Sequence, residues 1–343
     1  MEDPNKIAVI NDLVCEGCGD CSVESNCLSV IPKETPFGRK RQIDQNTCNK
    51  DFSCVNGFCP SFVTVEGGEK LKAKSAGKLA SFPNEKLAAL PVPDTAAAID
   101  SYDLLVTGVG GTGVVTVGAL ITMAAHLEGK GASVLDFMGF AQKFGPVLSY
   151  IRIADSPAKL NQVRIDQQRA DALIGCDLVV SSSPQASKTY RTGHTRVVLN
   201  TTEMSTADFV RHRDASLSAS TRIGAIRDIV GDANLSAVAA NQLAEKLLGN
   251  TIYANVLMLG YAWQNGLVPV SLEALLRAIE LNGVDIETNQ QAFGYGRIAA
   301  ADPTFAVAPS LWITRTTRLP SVISHLSGAC RRRKRLWAAN RSH

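Results

Sequence analysis

Residues 104–126 read LLVTGVGGTGVVTVGALITMAAH: an apolar run of strand length, a glycine cluster at Gly108, Gly110, Gly111 and Gly113, then an uncharged stretch of helical length. Glycines so placed let the chain turn sharply from a buried strand into a buried helix. The 22 residues from Leu104 to Ala125 carry no charge and are long enough to span a bilayer. The glycines crowd the first half of that stretch and no matched anchors flank it, so a strand–turn–helix is expected and no membrane association.

Working outward, apolar runs recur at Ala132–Phe137 (ASVLDF), Val147–Ala154 (VLSYIRIA), Cys176–Ser181 (CDLVVS) and Thr195–Asn200 (TRVVLN). Helical periodicity covers Ser236–Leu248, Thr251–Gln264 and Ser271–Leu281. Strands apolar on both faces, alternating with helices, predict an α/β fold: a Rossmann-like, mainly parallel sheet with helices on both faces. Gly108, Gly110 and Gly113 satisfy G-x-G-x-x-G, and Asp136 follows Gly113 by 23 residues, near where a ribose-binding acid would sit. Two readings stay open, a dinucleotide site and a tight turn that needs glycine only for geometry. Lys143 and Arg152 flank the Gly145-Pro146 turn; they are read as exposed structural cations, with a phosphate or an acidic partner as the alternative.

The chain has 343 residues, 45% hydrophobic and 20% charged, enough for a sizeable core and, by length, two domains. The net charge of +3 misleads. From Pro309 to His343 there are eight Lys/Arg and no acid; the rest has 27 basic against 32 acidic residues, a balance of −5. Nothing global points to nucleic acid. Residues 67–101, with three prolines and many small side chains, read as a linker.

Seven of the nine cysteines lie between Cys15 and Cys59, and no signal-peptide pattern precedes them. A reducing cytoplasm and metal ligation are therefore expected rather than a disulfide framework. The spacing is Cys15-x2-Cys18-x2-Cys21-x5-Cys27, then Cys48-x5-Cys54-x4-Cys59-Pro60. Three thiolates at i, i+3 and i+6 let one short loop wrap a compact iron–sulfur cluster, whereas zinc sites more often join two separate CxxC pairs. Cys48-Asn-Lys-Asp51-Phe-Ser-Cys54 is C-x2-D-x2-C, so Asp51 stands where a middle cysteine would be. It is either an iron ligand or a solvated loop aspartate. Cys176, inside an apolar run, reads as a core thiol; Cys330 is incidental. The five histidines are scattered, without metal spacing.

The cysteine segment resembles the two-cluster ferredoxins in which Asp replaces one Cys. That resemblance implies one cluster on Cys15, Cys18, Cys21 and Cys59. The other would use Cys27, Cys48, Cys54 and Asp51, or hold three irons without Asp51. The gaps of five before Cys27 and four before Cys59 are longer than in the pattern C-x2-C-x2-C-x3-C-P. The glycine-rich start followed by Phe140-Ala-Gln-Lys-Phe-Gly-Pro-Val-Leu-Ser-Tyr-Ile-Arg-Ile153 resembles the γ-type domain of the 2-oxoacid:ferredoxin oxidoreductases. Phe144 replaces the first of that segment's paired glycines. A ferredoxin-like unit directly before it is similar to the fused, long-chain indolepyruvate members.

The resemblance implies an organisation: a ferredoxin-like 4Fe-4S domain over 1–66, a linker over 67–101, a γ-type catalytic domain over 102–308 and a basic tail over 309–343. It also implies oxidative decarboxylation of a 2-oxoacid, an indolepyruvate or other aryl pyruvate, on thiamine diphosphate and Mg. Electrons would pass through 4Fe-4S clusters to ferredoxin, and the acyl group to CoA. Gly108, Gly110, Gly111, Gly113 and Lys143 are the residues placed at a cofactor. Thiamine is expected on a partner or on domains this chain lacks, since Gly231-Asp232 has no metal-binding Asn at the expected later spacing. The chain is thus expected to be an oligomeric enzyme component, either a subunit of a split enzyme or the product of a broken gene, with the tail arising from a shifted reading frame. Two alternatives remain: an NAD(P)-linked iron–sulfur reductase with nucleotide on the glycine loop, and a non-catalytic electron-transfer module.

Overall fold

The computed structural model describes residues 5–57, 59–67, 82–93, 100–138, 145–204 and 218–307. Lys143, the Phe140–Phe144 segment and the basic tail lie outside the described residues.

The larger part is built on a six-stranded sheet. In chain order its strands are β5 (Tyr102–Val109), β6 (Gly131–Met138), β7 (Pro146–Ala154), β8 (Ala172–Gly175), β9 (Arg196–Asn200) and β10 (Leu235–Val238), after four short strands of the N-terminal part described below. Their spatial order is β10-β9-β8-β5-β7-β6. Strands β10, β9, β8 and β5 pair in parallel, whereas β7 is antiparallel to both β5 and β6. The expected α/β fold with a mostly parallel sheet and helices on both faces is met, but the sheet is mixed, because one antiparallel strand separates β5 from β6 where a Rossmann-like order would have none.

Side-chain alternation explains why these strands are interior. Leu104 and Val106 of β5, Ala172 and Ile174 of β8 and Val198 of β9 face one core. Leu105, Leu173, Val197 and Leu199 face the other. The first face is covered by α3 (Val114–Leu127), α7 (Ala240–Leu248), α8 (Ala254–Gln264), α9 (Leu272–Asn282) and α10 (Ile286–Ala301). The second is covered by the short α4 (Leu178–Ser181) and α5 (Pro184–Ser187) and by α6 (Ala219–Val230). Every residue of α8 from Ala254 to Trp263 is buried, so it is a helix with no solvent face. It crosses α10 through Gly260 and Gly296, where an added Cβ would strike the backbone carbonyls of Phe293 and Leu257.

Three segments depart from the sequence reading. The run Cys176–Ser181 is not a strand: β8 ends at Gly175, and Asp177 accepts the Val180 N–H at 2.8 Å, capping the helical turn α4. Ser236–Leu248 is split, because β10 occupies Leu235–Val238 before α7 begins. Within the expected linker, α2 (Asn84–Ala88) forms, and Phe82, Leu87 and Leu90 pack on the first core. Among the described residues no helix is long and apolar enough to cross a membrane.

Arg152 is the clearest correction of a side chain's setting. It is 5% exposed on β7, opposite Asp103 of β5, which is 4% exposed. Its Nε and Nη2 each donate to one Asp103 carboxylate oxygen at 2.6 Å, and Nη1 donates to Asn161 at 3.1 Å. This is a buried bidentate ion pair rather than an exposed cation. Asp103→Asn is expected to cost about 3–5 kcal/mol, because a buried guanidinium loses its counter-charge. Asp103→Leu with Arg152→Met should recover most of that loss; urea midpoints of the three proteins check both outcomes.

Candidate functional site

The glycine loop sits at the carboxyl end of β5. Gly108 has no room for a side chain: a Cβ there would lie 2.5 Å from Val114 and 3.2 Å from Cys176. Gly111 and Gly113 take φ of +85° and +95°, values that only glycine adopts without strain. The Gly110 N–H donates to the Gly145 carbonyl at 2.8 Å, and Asn255 Nδ2 donates to the Thr112 carbonyl at 2.7 Å. The loop is thus held by the chain itself on both sides.

The acid chosen for a ribose does not reach this loop. Asp136 lies on β6, which antiparallel β7 separates from β5, and its carboxylate accepts a hydrogen bond from Ser149 Oγ on β7. The inserted strand moves it one strand spacing, about 4.8 Å, farther than a dinucleotide fold would place it. A cleft of about 1040 Å³ opens between the loop and the N-terminal part of the chain. Its described walls carry the carboxylates of Asp44, Glu203 and Glu245 and no Lys, Arg or His. Such a setting favours neutral, hydrogen-bonding groups over a diphosphate. Cys176, at its floor, is 4% exposed, and burial pushes its thiol up to about 12, as a core thiol requires.

The N-terminal part brings the cysteines together through an internal repeat. In it β1 (Lys6–Ile10) pairs antiparallel with β4 (Phe62–Glu66), and β2 (Val30–Thr35) with β3 (Gly38–Ile43). Residues 11–21 and 44–54 then follow one backbone course. Asn11 and Asp44 each accept a hydrogen bond two residues on, Leu13 N–H at 3.1 Å and Asn46 N–H at 2.9 Å. Their carbonyls accept from Cys15 N–H at 2.9 Å and Cys48 N–H at 3.1 Å. Gly17 N–H then donates to Cys15 Sγ at 3.3 Å, and Lys50 N–H to Cys48 Sγ at 3.4 Å. Positive φ occurs at Gly17 and Gly19 in one copy and at Lys50 and Phe52 in the other. A short helix follows each: α1 (Asp20–Ser25) and a single 3-10 turn, Ser53–Val55. Cys15, Cys18 and Cys21 therefore correspond to Cys48, Asp51 and Cys54.

The two copies are crossed. Asn11 N–H donates to the Ser61 carbonyl at 2.8 Å, holding the Cys59–Ser61 segment against the first loop; Asp44 N–H donates to the Ser29 carbonyl at 2.8 Å, holding Cys27–Ser29 against the second. Electrostatics agrees. The Cys21 thiol is raised by burial and by its neighbours Cys18 and Cys15. The Cys54 thiol is pushed up to about 11 by burial and by Cys27, Cys48 and Asp51. Asp51 Oδ1 accepts from Ser53 N–H at 3.0 Å and from Ser53 Oγ at 2.9 Å.

Among the described residues no three His, Cys, Asp or Glu side chains converge on a point that could hold a single metal ion. Zinc needs its thiolates about 2.3 Å from one centre, whereas a four-iron cubane is several ångströms across and keeps its ligands apart. The donor chemistry, five thiols and Asp51 in the two loops, Cys59 and Cys27 on the segments held against them, and N–H groups aimed at sulfur, fits such clusters. Sequence reasoning missed the supporting pairs Asn11/Asp44 and Ser29/Ser61. Their signal was present: an Asn or Asp four residues before the first cysteine of each loop, and a Ser two after Cys27 and Cys59.

Residues 103–299 match the family model for pyruvate ferredoxin/flavodoxin oxidoreductase. The chain is similar to the indolepyruvate oxidoreductase subunit IorB of Pyrococcus horikoshii, 27% identical over 213 residues, which are 59% of this chain and 96% of that protein. The corresponding subunit of Archaeoglobus fulgidus is 25% identical over 206 residues, covering 59% of this chain and 98% of its own. Among solved structures, the pyruvate oxidoreductase subunit PORC from Thermotoga maritima is 19% identical with a TM-score of 0.43, over 58% of this chain and 96% of that one.

Proposed function

From the fact that this chain belongs to the pyruvate ferredoxin/flavodoxin oxidoreductase family through residues 103–299, we propose that it is the γ-type, electron-carrying component of a 2-oxoacid:ferredoxin oxidoreductase acting on an indolepyruvate-like aryl oxoacid. The observation that carries the electron-transfer half is the crossed repeat of two thiolate loops in the segment that precedes the family domain. One centre is assigned to Cys15, Cys18, Cys21 and Cys59, the other to Cys27, Cys48, Asp51 and Cys54.

Iron–sulfur clusters, when bound, supply one-electron storage at potentials set by ligand type, hydrogen bonding and exposure. The chain's own residues do the rest. Gly17 and Lys50 N–H groups aim positive dipoles at Cys15 and Cys48 sulfur, stabilising negative charge there. Gly17 is fixed in this role, since a Cβ there would strike the Arg39 carbonyl. Burial and neighbouring thiols raise Cys21 and Cys54, so cluster ligation must displace their protons and is favoured as pH rises. Asp51, with Ser53 donating to one oxygen, keeps the other available as a ligand.

The oxoacid chemistry itself is assigned to a thiamine-binding partner subunit with its diphosphate and Mg, with CoA as acyl acceptor and a ferredoxin-type protein as electron acceptor. The relatives' names as subunits support the need for such a partner. The large sheet, with both faces covered, serves as the scaffold. The test is iron and acid-labile sulfide per chain after anaerobic purification, followed by reduction with an aryl pyruvate, CoA and a thiamine-binding partner. About eight irons, reduced only when oxoacid and partner are both present, are expected. Zinc without sulfide, or reduction by NADH alone, would overturn the reading.

A further inference from the structure

We infer that the outer face of β6 and α3 is an interface between two copies of this chain, with β6 pairing against its own copy about a two-fold axis. The inference is independent of the cluster assignment.

β6 stands at the edge of the six-stranded sheet, and among the described residues β7 is its only partner strand. Its other edge therefore presents backbone N–H and C=O groups that water or another strand must satisfy. Edge strands that stay single are blunted by Lys, Pro or outward charge. β6, GASVLDFM, has none of these: its one charged side chain, Asp136, accepts a hydrogen bond from Ser149 on β7. Both faces of the strand are instead apolar and in water, with Phe137 53% and Met138 44% exposed and Val134 and Leu135 exposed beside them.

α3 continues this surface. It lies directly beside β6: Val115 and Met138 line one hollow, and a Cβ on Gly118 would sit 3.5 Å from Val134. The helix, VVTVGALITMAAHL, carries no Asp, Glu, Lys or Arg. Val115, Ala119, Met123 and Leu127 follow one another at intervals of four and are all exposed, an apolar line along one side of it. Of the twelve exposed large apolar side chains among the described residues 100–307, seven stand on these two adjoining elements. Such a concentration marks a surface that is covered in the working protein.

Two properties select a second copy as the cover. A two-fold interface sets each group near its own counterpart, so an outward charge would meet its like. Apart from Asp136, turned to Ser149, the described residues of this face carry no charge, and Glu128 and Lys130 at its border pair with each other at 2.7 Å. A different protein is selected by complementary charge, which has nothing to act on here. The other property is size. β6 is about 27 Å long and α3 about 21 Å, and helix and sheet edge together are about 20 Å across. Each copy thus offers on the order of 500 Å², and two bury about 1,000 Å², where specific interfaces begin. A strand joined to its own copy about a two-fold axis runs antiparallel to it, the pairing β6 already makes with β7.

The test is analytical sedimentation of the full chain under reducing conditions, which exclude intermolecular disulfides. A dimer that dissociates on dilution is expected. Leu135 stands near the middle of β6 and so near its own counterpart. Leu135→Lys should therefore raise the dissociation constant about a hundredfold, and Leu135→Glu likewise, with far-UV circular dichroism unchanged because the side chain is exposed. Mixing the two variants should restore the dimer, since unlike charges then meet across the axis; a misfolded variant would give no such rescue. In the native protein, hydrogen exchange at the β6 amides should slow as concentration rises. A native chain monomeric at every concentration would overturn the inference, as would a dimer that both variants retain or mixed variants that stay apart. A monomeric native chain that binds a thiamine-binding subunit through a contact abolished by Leu135→Lys would give the face to that subunit and overturn it too. None of these readouts depends on iron, so the cluster reading stands or falls separately.

Discussion

Gly296→Val is expected to destabilise the protein by about 3 kcal/mol, and Gly260→Val by as much. Each glycine lies where α8 and α10 cross, and each missing Cβ would fall against backbone of the other helix, Leu257 for Gly296 and Phe293 for Gly260. A flexible side chain could swing aside; a carbonyl in the middle of a buried helix cannot. The helices would have to separate, and both belong to the larger core, where Leu257, Met258, Leu259, Phe293 and Ile298 are all at most 2% exposed. Packed interiors yield little to such expansion. The control is Gly224→Ala on α6, where nothing stands within 4 Å of an added Cβ. There the substitution should raise stability by about 0.5–1 kcal/mol, because glycine lowers helix propensity. Urea unfolding followed by far-UV circular dichroism separates the two: the midpoint falls for the crossing glycines and rises for Gly224. A midpoint unchanged in Gly296→Val would mean the helices do not meet as described.

That crossing also marks a limit of sequence reading. Periodicity located α9 within one residue at each end, since Ser271 caps it and Gly283 ends it with φ of +70°. It did not single out α10, whose run IETNQQAFGYGRIAAA mixes small, polar and aromatic residues without a clear stripe. Its burial comes from glycine-mediated contact with α8, a tertiary property that no local pattern encodes. The same holds for β7. Its apolar run was plain, but strand direction depends on which neighbour it joins, and the antiparallel insertion is what removed Asp136 from the glycine loop. Arg152 looked exposed because a lone cation in a strand gives no hint of Asp103, 49 residues earlier, directly opposite. The cysteine loops were far more legible. Cysteine spacing is local, set by a turn of a few residues, so C-x2-C-x2-C and C-x2-D-x2-C correspond position by position in the sequence itself. The fold then added the shared turns and hydrogen bonds that make Asp51 the counterpart of Cys18.

Asp51→Ala should convert one centre from four irons to three while leaving the other intact. The total would fall from about eight irons per chain to about seven, with a three-iron EPR signal appearing in the oxidised protein. The reasoning is positional. Cys48 and Cys54 are held by the same turns that hold Cys15 and Cys21, so the residue between them occupies a ligand's place. Removing its carboxylate leaves three thiolates, Cys27, Cys48 and Cys54, enough to retain a cluster that lacks one corner. Asp51→Cys should keep about eight irons and make the two centres alike, narrowing the difference between their reduced spectra. Cys48→Ser is the harsher change, since it removes both a thiolate and the acceptor of the Lys50 N–H; the whole second centre should be lost, leaving about four irons. The order of iron content, native and Asp51→Cys above Asp51→Ala above Cys48→Ser, distinguishes ligation from a merely solvated aspartate. A solvated Asp51 would leave Asp51→Ala with the native iron count and no new oxidised signal. Anaerobic metal analysis with EPR of each variant, before and after dithionite, reads the order directly.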